Sequence, residues 1–194
     1  AEVDLHGQSF DETNKYAQEL AKEKGYTFIP PYDDEDVIEG QGTIALEILE
    51  NLDDIDYILV PIGGGGLISG IAKCAKEIKP DIKIVGVEPA NAASMQAAVE
   101  NNGPVTLDSA DTIADGTAVA RVGDITYEIC KENVDEYISV TEEEIMLALT
   151  TLMEKHKLVA EPSGALSLAA SKKLACKNKN VVCVISGGNI DMSF

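Results

Sequence analysis

The sequence predicts an α/β fold: an open, mostly parallel, twisted sheet with helices on both faces. Three observations carry this. Short apolar runs alternate with helix-like stretches along most of the chain, which implies crossover connections and parallel strands. The run Ile82 to Val87 is apolar on both faces, as a buried parallel strand should be. Two glycine clusters, at residues 63–66 and 187–188, each follow a strand-like run directly, and open parallel sheets bind ligands at the C-terminal ends of their strands.

The elements follow in order. Ala1 to Leu5 predicts a strand. Ser9-Phe10-Asp11-Glu12 is a capping-box pattern that opens a helix to about Lys24, where Gly25 can end it. Tyr26 to Ile29 predicts a second strand, stopped by Pro30-Pro31, so that residues 1–29 read as one β-α-β unit. The acidic turn Asp33 to Asp36 marks a domain crossing. Val37 to Leu52 reads as a helix despite Gly40 and Gly42. Tyr57 to Pro61 is a strand, Leu67 to Lys79 a helix, Ile82 to Val87 a strand, and Ser94 to Asn101 a helix ended by Asn102-Gly103-Pro104. Residues 105–123 read as irregular. Asp124 caps a helix to about Asn133, and Tyr137 to Val140 is a strand. Thr141 with Glu144 forms another capping box, opening a helix to about Leu158. Ser163 to Leu174 is a helix and Val181 to Ile185 a last apolar strand.

Composition narrows the function. The chain has 194 residues, 45% hydrophobic and 25% charged, ordinary for a globular protein with a sizeable core. Its net charge is −19, and residues 1–56, with 16 acidic and 3 basic side chains, hold −13 of it. Such a field repels nucleic acid and anionic membrane, so neither is expected as a partner. The four cysteines, Cys74, Cys130, Cys176 and Cys183, form no C-x-x-C pair and sit in apolar surroundings, as buried thiols of a reducing compartment do. No signal-peptide pattern and no apolar run long enough for a bilayer is present, and a cytoplasmic location is expected. His6 and His156 lack ligand spacing.

The chemistry concentrates in Pro61-Ile62-Gly63-Gly64-Gly65-Gly66-Leu67. A glycine run between strand and helix lets backbone N–H groups crowd around an anion, with the positive end of the helix dipole behind them. A flexible turn also fits the run taken alone. The dinucleotide pattern G-x-G-x-x-G fits badly, because Ile68 or Ser69 falls where its third glycine belongs, although Glu88 sits about where a ribose-binding acid would. A P-loop is excluded, since no Gly-Lys-Ser/Thr follows.

Together with Val184-Ile185-Ser186-Gly187-Gly188-Asn189, Gly86-Val87-Glu88-Pro89, Thr112-Ile113-Ala114-Asp115-Gly116 and Ala160-Glu161-Pro162-Ser163-Gly164-Ala165, this string resembles the fold-type II pyridoxal 5'-phosphate (PLP) enzymes, whose fold is that of the tryptophan synthase β-subunit. Within that class the set is most similar to threonine dehydratases (threonine ammonia-lyases), with serine racemases and serine dehydratases next. The resemblance implies that Gly63, Gly64, Gly65, Gly66 and Leu67 hold the cofactor phosphate, that Ser186 bonds the pyridine nitrogen, and that Gly116 and Glu161 lie near the ring. A hydroxyl pairs with a neutral pyridine, a weaker electron sink than the protonated ring, and this favours elimination over transamination. A cation, monovalent because Ser94 adds no charge, is implied at Glu88, the Ala92 carbonyl and Ser94. Ser94 as cap of the following helix is the competing reading.

The resemblance also implies residues that the sequence lacks. The family's cofactor-anchoring lysine lies in a Ser-x-Lys-x-Arg-Gly string well before the tetraglycine, and its substrate-carboxylate loop reads Ser-x-Gly-Asn-His. Neither string occurs here, and only Lys15, Lys22 and Lys24 precede Gly63. The expectation is therefore the C-terminal part of a catalytic unit, with residues 1–33 a remnant of the small α/β domain and 34–194 most of the large PLP-binding domain. The parent protein is expected to be a homo-oligomer that deaminates L-threonine, and L-serine as an extension, to a 2-oxo acid and ammonia. This chain alone is expected to be inactive. Racemisation or another fold-type II reaction, and a non-catalytic ligand-binding module, remain as alternatives.

Overall fold

The computed structural model describes residues 2–7 and 10–190. Four strands, β1 (Tyr57–Pro61), β2 (Lys83–Pro89), β3 (Glu136–Val140) and β4 (Val181–Cys183), form one sheet in the order β3-β2-β1-β4. All its pairings are parallel. Helices α1 (Phe10–Lys24), α2 (Glu35–Asn51), α3 (Gly66–Ile78), α4 (Ser94–Glu100), α5 (Asp124–Asn133), α6 (Glu142–Thr151) and α7 (Pro162–Ser171) surround it. The alternation of side chains along each strand divides the core in two. Ile58, Val60 and Ile84 join Ile68, Ile71, Ala72, Met95 and Tyr127 of α3, α4 and α5. Leu59, Val85 and Val87 join Ile145, Ala148, Ala165 and Leu166 of α6 and α7 on the opposite face. The two central strands β1 and β2 are accordingly buried on both sides, as parallel crossovers demand, while the edge strands β3 and β4 are half-buried.

The path of the chain fixes the place of a binding crevice. From β1 it moves outward to β2 and then β3, and then returns to lay β4 on the other side of β1. The C-terminal ends of β1 and β4 thus flank the point where the winding reverses, the position at which doubly wound sheets bind ligands. Both glycine clusters lie there, as expected, because Leu59 pairs with Cys183 at those ends.

Several elements differ from the sequence reading. Residues 2–5 and 26–29 form no strand, so the β-α-β unit reduces to α1 between two extended segments. Val3, Leu5, Tyr26 and Ile29 are 81%, 91%, 64% and 72% exposed: their pattern suits a strand, but no strand among the described residues pairs with them. Ser9 of the proposed capping box lies outside the described residues; Gly25 does take the left-handed φ of 70° that ends α1. Beyond α6 the chain continues as a π-helical turn, Leu152–His156, and stops at Lys157 with φ 59°, short of Leu158. The capping box at Thr141 and Glu144 forms as the sequence predicts. Helix α7 starts on Pro162, whose missing N–H costs nothing at the first helical position, and ends at Ser171 rather than Leu174. β4 is two residues shorter than predicted and has one neighbour only, with Val184 N–H adding a single bond to the Leu59 carbonyl at 3.1 Å. No helix among the described residues is long and apolar enough to cross a membrane.

The glycines inside helices have separate explanations. A Cβ on Gly70 of α3 would strike the Ile38 carbonyl and come within 2.6 Å of Gly42 N, so α2 and α3 cross backbone to backbone. Nothing lies within 4 Å of a Cβ at Gly40. Gly70→Ala is therefore expected to cost about 1–2 kcal/mol, overpacking outweighing the gain in helix propensity. Gly40→Ala is expected to add about 0.5–1 kcal/mol, and urea midpoints of the two variants check the opposite signs.

Candidate functional site

A cavity of about 310 Å³ opens at the reversal point, walled by the tetraglycine loop, the Asp115–Val119 segment, Glu161, Ser163, Ser186 and Tyr32. All eight residues predicted to hold a cofactor, Gly63, Gly64, Gly65, Gly66, Leu67, Gly116, Glu161 and Ser186, line it. They come from four separate stretches of sequence, which only the parallel sheet brings together.

The floor is built from backbone. Gly65 has φ 98°, a left-handed conformation, and precedes the first residue of α3. The amides of Gly64, Gly65, Gly66 and Leu67 have no acceptor among the described residues; the first bond of the helix is Ser69 N–H to the Gly65 carbonyl, 3.0 Å. No acidic side chain occupies the first turn of α3. Free amides at the positive end of a 13-residue helix make a receptor for an anion such as a phosphate group.

The loop is also tightly wedged from outside. A Cβ on Gly63 would lie 3.1 Å from the Gly116 carbonyl oxygen and from Thr117 Cα. A Cβ on Gly64 would run into the Tyr32 ring, and one on Gly66 would reach Tyr32 Cβ at 2.9 Å. A Cβ on Gly65 would meet Met95 and Thr126 at 2.9 Å. Tyr32 is itself held through its hydroxyl, which donates to the Arg121 carbonyl at 3.3 Å. Next to it, Asp33 accepts three amide bonds from the first turn of α5: Asp124 at 3.1 Å, Ile125 at 2.9 Å and Thr126 at 3.2 Å.

The opposite wall carries the polar side chains. Thr117 Oγ1 donates to the Ala114 carbonyl at 2.9 Å and lies 3.4 Å from Ser163 Oγ, both groups being buried. A Cβ on Gly116 would sit 3.0 Å from Ser163 Oγ, and one on Gly187 would collide with the Glu161 carboxylate. Glu161 N–H donates to the Gly187 carbonyl at 3.0 Å, which ties the start of α7 to the turn after β4. Ser186 is exposed at the cavity wall and makes no hydrogen bond among the described residues. Sequence reasoning missed Tyr32, Thr117 and Ser163 as wall residues. Only Ser163 stood inside a quoted motif; the Pro30-Pro31 pair before Tyr32 signalled a rigid turn but not what it faces.

Glu88, Ala92 and Ser94 line no part of this cavity. The Glu88 carboxylate is 1% exposed and accepts the amides of Met95 at 2.7 Å and Gln96 at 2.9 Å. Burial pushes it up to about 7 from 4.5, against the pull of those two bonds. Ser94 does not cap α4: Ala93 holds the cap position, and Ser94 Oγ is buried without a partner among the described residues. No group of three or more His, Cys, Asp or Glu among the described residues is placed to hold a metal. Cys130 is buried against Ser69 Oγ at 3.5 Å, and burial holds its thiol up at about 12.

Because the three atoms nearest a Cβ at position 64 all belong to the Tyr32 ring, Gly64→Ala is expected to cost about 2 kcal/mol in the native background and markedly less in a Tyr32→Ala background. A double-mutant cycle by urea denaturation reads the coupling.

Comparison with known proteins agrees with this geometry. The sequence profile of the family described as pyridoxal-phosphate dependent enzyme matches residues 1–187. The chain is 47% identical over 197 residues to a catabolic L-threonine dehydratase of Escherichia coli K12, covering 100% of itself and 60% of that relative. It is 45% identical over 194 residues to an L-threonine ammonia-lyase of Thermotoga maritima, of which it covers 48%. The chain thus spans about half to three fifths of the length of these curated relatives. The processed threonine deaminase isoform 2 of Solanum lycopersicum superposes with a TM-score of 0.91 at 42% identity, over 98% of this chain and 57% of that one. Maize serine racemase superposes with a TM-score of 0.91 at 35% identity, over 98% and 60%. By the profile match over residues 1–187 and the likeness in sequence and fold, the chain belongs to the family of pyridoxal-phosphate dependent enzymes.

Proposed function

We propose that these 194 residues form the cofactor-holding part of a threonine ammonia-lyase. The observation that carries the reading is the convergence of all eight motif residues on one cavity in a chain 47% identical to a threonine dehydratase along its whole length. The residues present fit PLP: amides without acceptors supply a cup for its phosphate, and an exposed serine hydroxyl at the far wall suits a pyridine nitrogen.

In this reading the amides of Gly64 to Leu67 grip the phosphate, and the α3 dipole adds its field. Ser186 would donate a single hydrogen bond to the ring nitrogen and leave the ring neutral, because a hydroxyl does not hold a proton there as a carboxylate would. Gly116 and Glu161 would lie near the ring, and the Thr117–Ser163 pair braces that wall. The bound cofactor supplies an electron sink for the pair left when the Cα proton departs. L-Threonine then loses its Cα proton and its β-hydroxyl as water; the resulting enamine takes up water and releases ammonia and 2-oxobutanoate. L-Serine gives pyruvate by the same balance.

No lysine is among the residues lining the cavity. The amine that attaches the cofactor and the group that moves the Cα proton are therefore assigned to sequence beyond these 194 residues, and the chain by itself is expected to be inactive. A racemase shares the scaffold, as the likeness to maize serine racemase illustrates, but at 35% identity against 47% for the dehydratase.

The test is product analysis with a polypeptide that joins these residues to a segment bearing the anchoring lysine. With PLP and L-threonine it should release 2-oxobutanoate and ammonia in equal amounts. A product that is the inverted amino acid, with no oxo acid, would contradict the assignment. In the same polypeptide, Ser186→Ala is expected to reduce turnover by about ten- to a hundredfold, the scale of one lost hydrogen bond to a reacting group. Steady-state assays check it.

A further inference from the structure

The peptide between Gly64 and Gly65 is held from behind. Its carbonyl accepts a short bond of 2.7 Å from Thr126 Oγ1 and a long one of 3.3 Å from Gly123 N–H. Thr126 is completely buried and sits in the first turn of α5. Its hydroxyl carries one proton, and the alternative acceptor, the Gly123 carbonyl, lies farther away at 3.3 Å. The helix bearing Thr126 is itself fastened: Asp33 accepts its first-turn amides, including Thr126 N–H at 3.2 Å, and Ser69 Oγ of α3 donates to the Thr126 carbonyl at 3.3 Å. Every polar group of Thr126 therefore points at a fixed partner.

Peptide planarity converts this anchor into a direction. Across a trans peptide the C=O and N–H point to opposite sides, and the described chain holds no cis bond. A Gly64 carbonyl fixed toward α5 turns the Gly65 N–H away from α5, to the side where Gly65 lines the cavity. Glycine at φ 98° has no side chain to limit its rotation, so without the Thr126 bond only the longer Gly123 N–H bond holds the orientation of this plane. The N-terminus of α5 nearby is already filled by Asp33, whereas the α3 end carries no side-chain cap.

On the reading of Gly64 to Leu67 as a phosphate cup, we propose that Thr126 is a positioning residue for it. Its hydroxyl fixes the Gly64–Gly65 peptide plane and so aims the Gly65 amide at the phosphate. The residue touches no ligand and acts only through the loop.

The test uses this chain with pyridoxine 5'-phosphate and with pyridoxine, which carry no aldehyde and so form no adducts with surface lysines. Dissociation constants are measured by calorimetry for the native chain, Thr126→Val and Thr126→Ser, with thermal melts confirming that each is folded. The native chain should prefer the phosphorylated ligand strongly. Thr126→Val should weaken pyridoxine 5'-phosphate binding by about tenfold, leave pyridoxine within about twofold, and lose its effect in Thr126→Ser, which keeps the hydroxyl. In ¹⁵N spectra the Gly65 amide should shift on phosphate-ligand binding in the native chain and in Thr126→Ser, and shift less in Thr126→Val. Unchanged binding in a folded Thr126→Val chain, or equal weakening of both ligands, overturns the positioning role while leaving the cup in place. A native chain that does not distinguish the two ligands overturns the cup itself, and the positioning role with it. If Thr126→Val does not fold, the native and Thr126→Ser chains still decide: a Gly65 amide that does not respond to the phosphate ligand in either one refutes the proposal.

Discussion

The structure depends on the placement of β1, paired in parallel on both sides and buried on both faces. A strand so enclosed can release the chain only at its ends, and the C-terminal end must turn at once into α3. Between Pro61, the last strand residue, and Gly66, the first helical one, the backbone passes Gly116, Tyr32, Met95 and Thr126 at contact distance. That turn leaves four successive amides without acceptors among the described residues. Burying apolar strands thus creates, as a geometric by-product, an electropositive pocket at the reversal of the winding.

Two demands coincide on the glycine run. Packing alone crowds a Cβ at each of Gly63, Gly64, Gly65 and Gly66, against the 116–119 segment, Tyr32, Met95 and Thr126. The run by itself is therefore not proof of a ligand. What favours one is the combination of acceptor-less amides, an α3 first turn free of acids, and polar side chains gathered from α7 and the turn after β4. The comparisons supply the chemistry, since the family is defined by the cofactor that such a pocket would hold.

Much of this was legible in the sequence. The bounds of β1 match the predicted ones, because Tyr57-Ile58-Leu59-Val60 is an unbroken apolar run; α5 spans Asp124–Asn133, but Gly123 rather than the predicted Asp124 holds its cap position, and Asp33 takes the first-turn amides. The glycine clusters showed where the strands end, and the parallel sheet then placed them side by side. Local pattern failed where an element depends on a neighbour. Val3, Leu5, Tyr26 and Ile29 alternate as strand residues do, yet alternation does not supply a partner backbone. Tyr32 and Thr126 were invisible as site residues because their role arises from contacts across 32 or more positions of sequence, Tyr32 to Gly64 and Thr126 to Gly64. The Ser94 hydroxyl misled in the other direction, since a serine before a helix need not occupy the cap position.

The most direct test of the account is hydrogen–deuterium exchange of this chain with and without PLP, resolved to short peptides. The account predicts protection confined to residues 63–69, 114–119, 161–164 and 185–188, the four stretches that the sheet brings to one cavity. Protection centred elsewhere, for instance in the cleft between α1 and Arg121, or none at all at saturating cofactor, would contradict it.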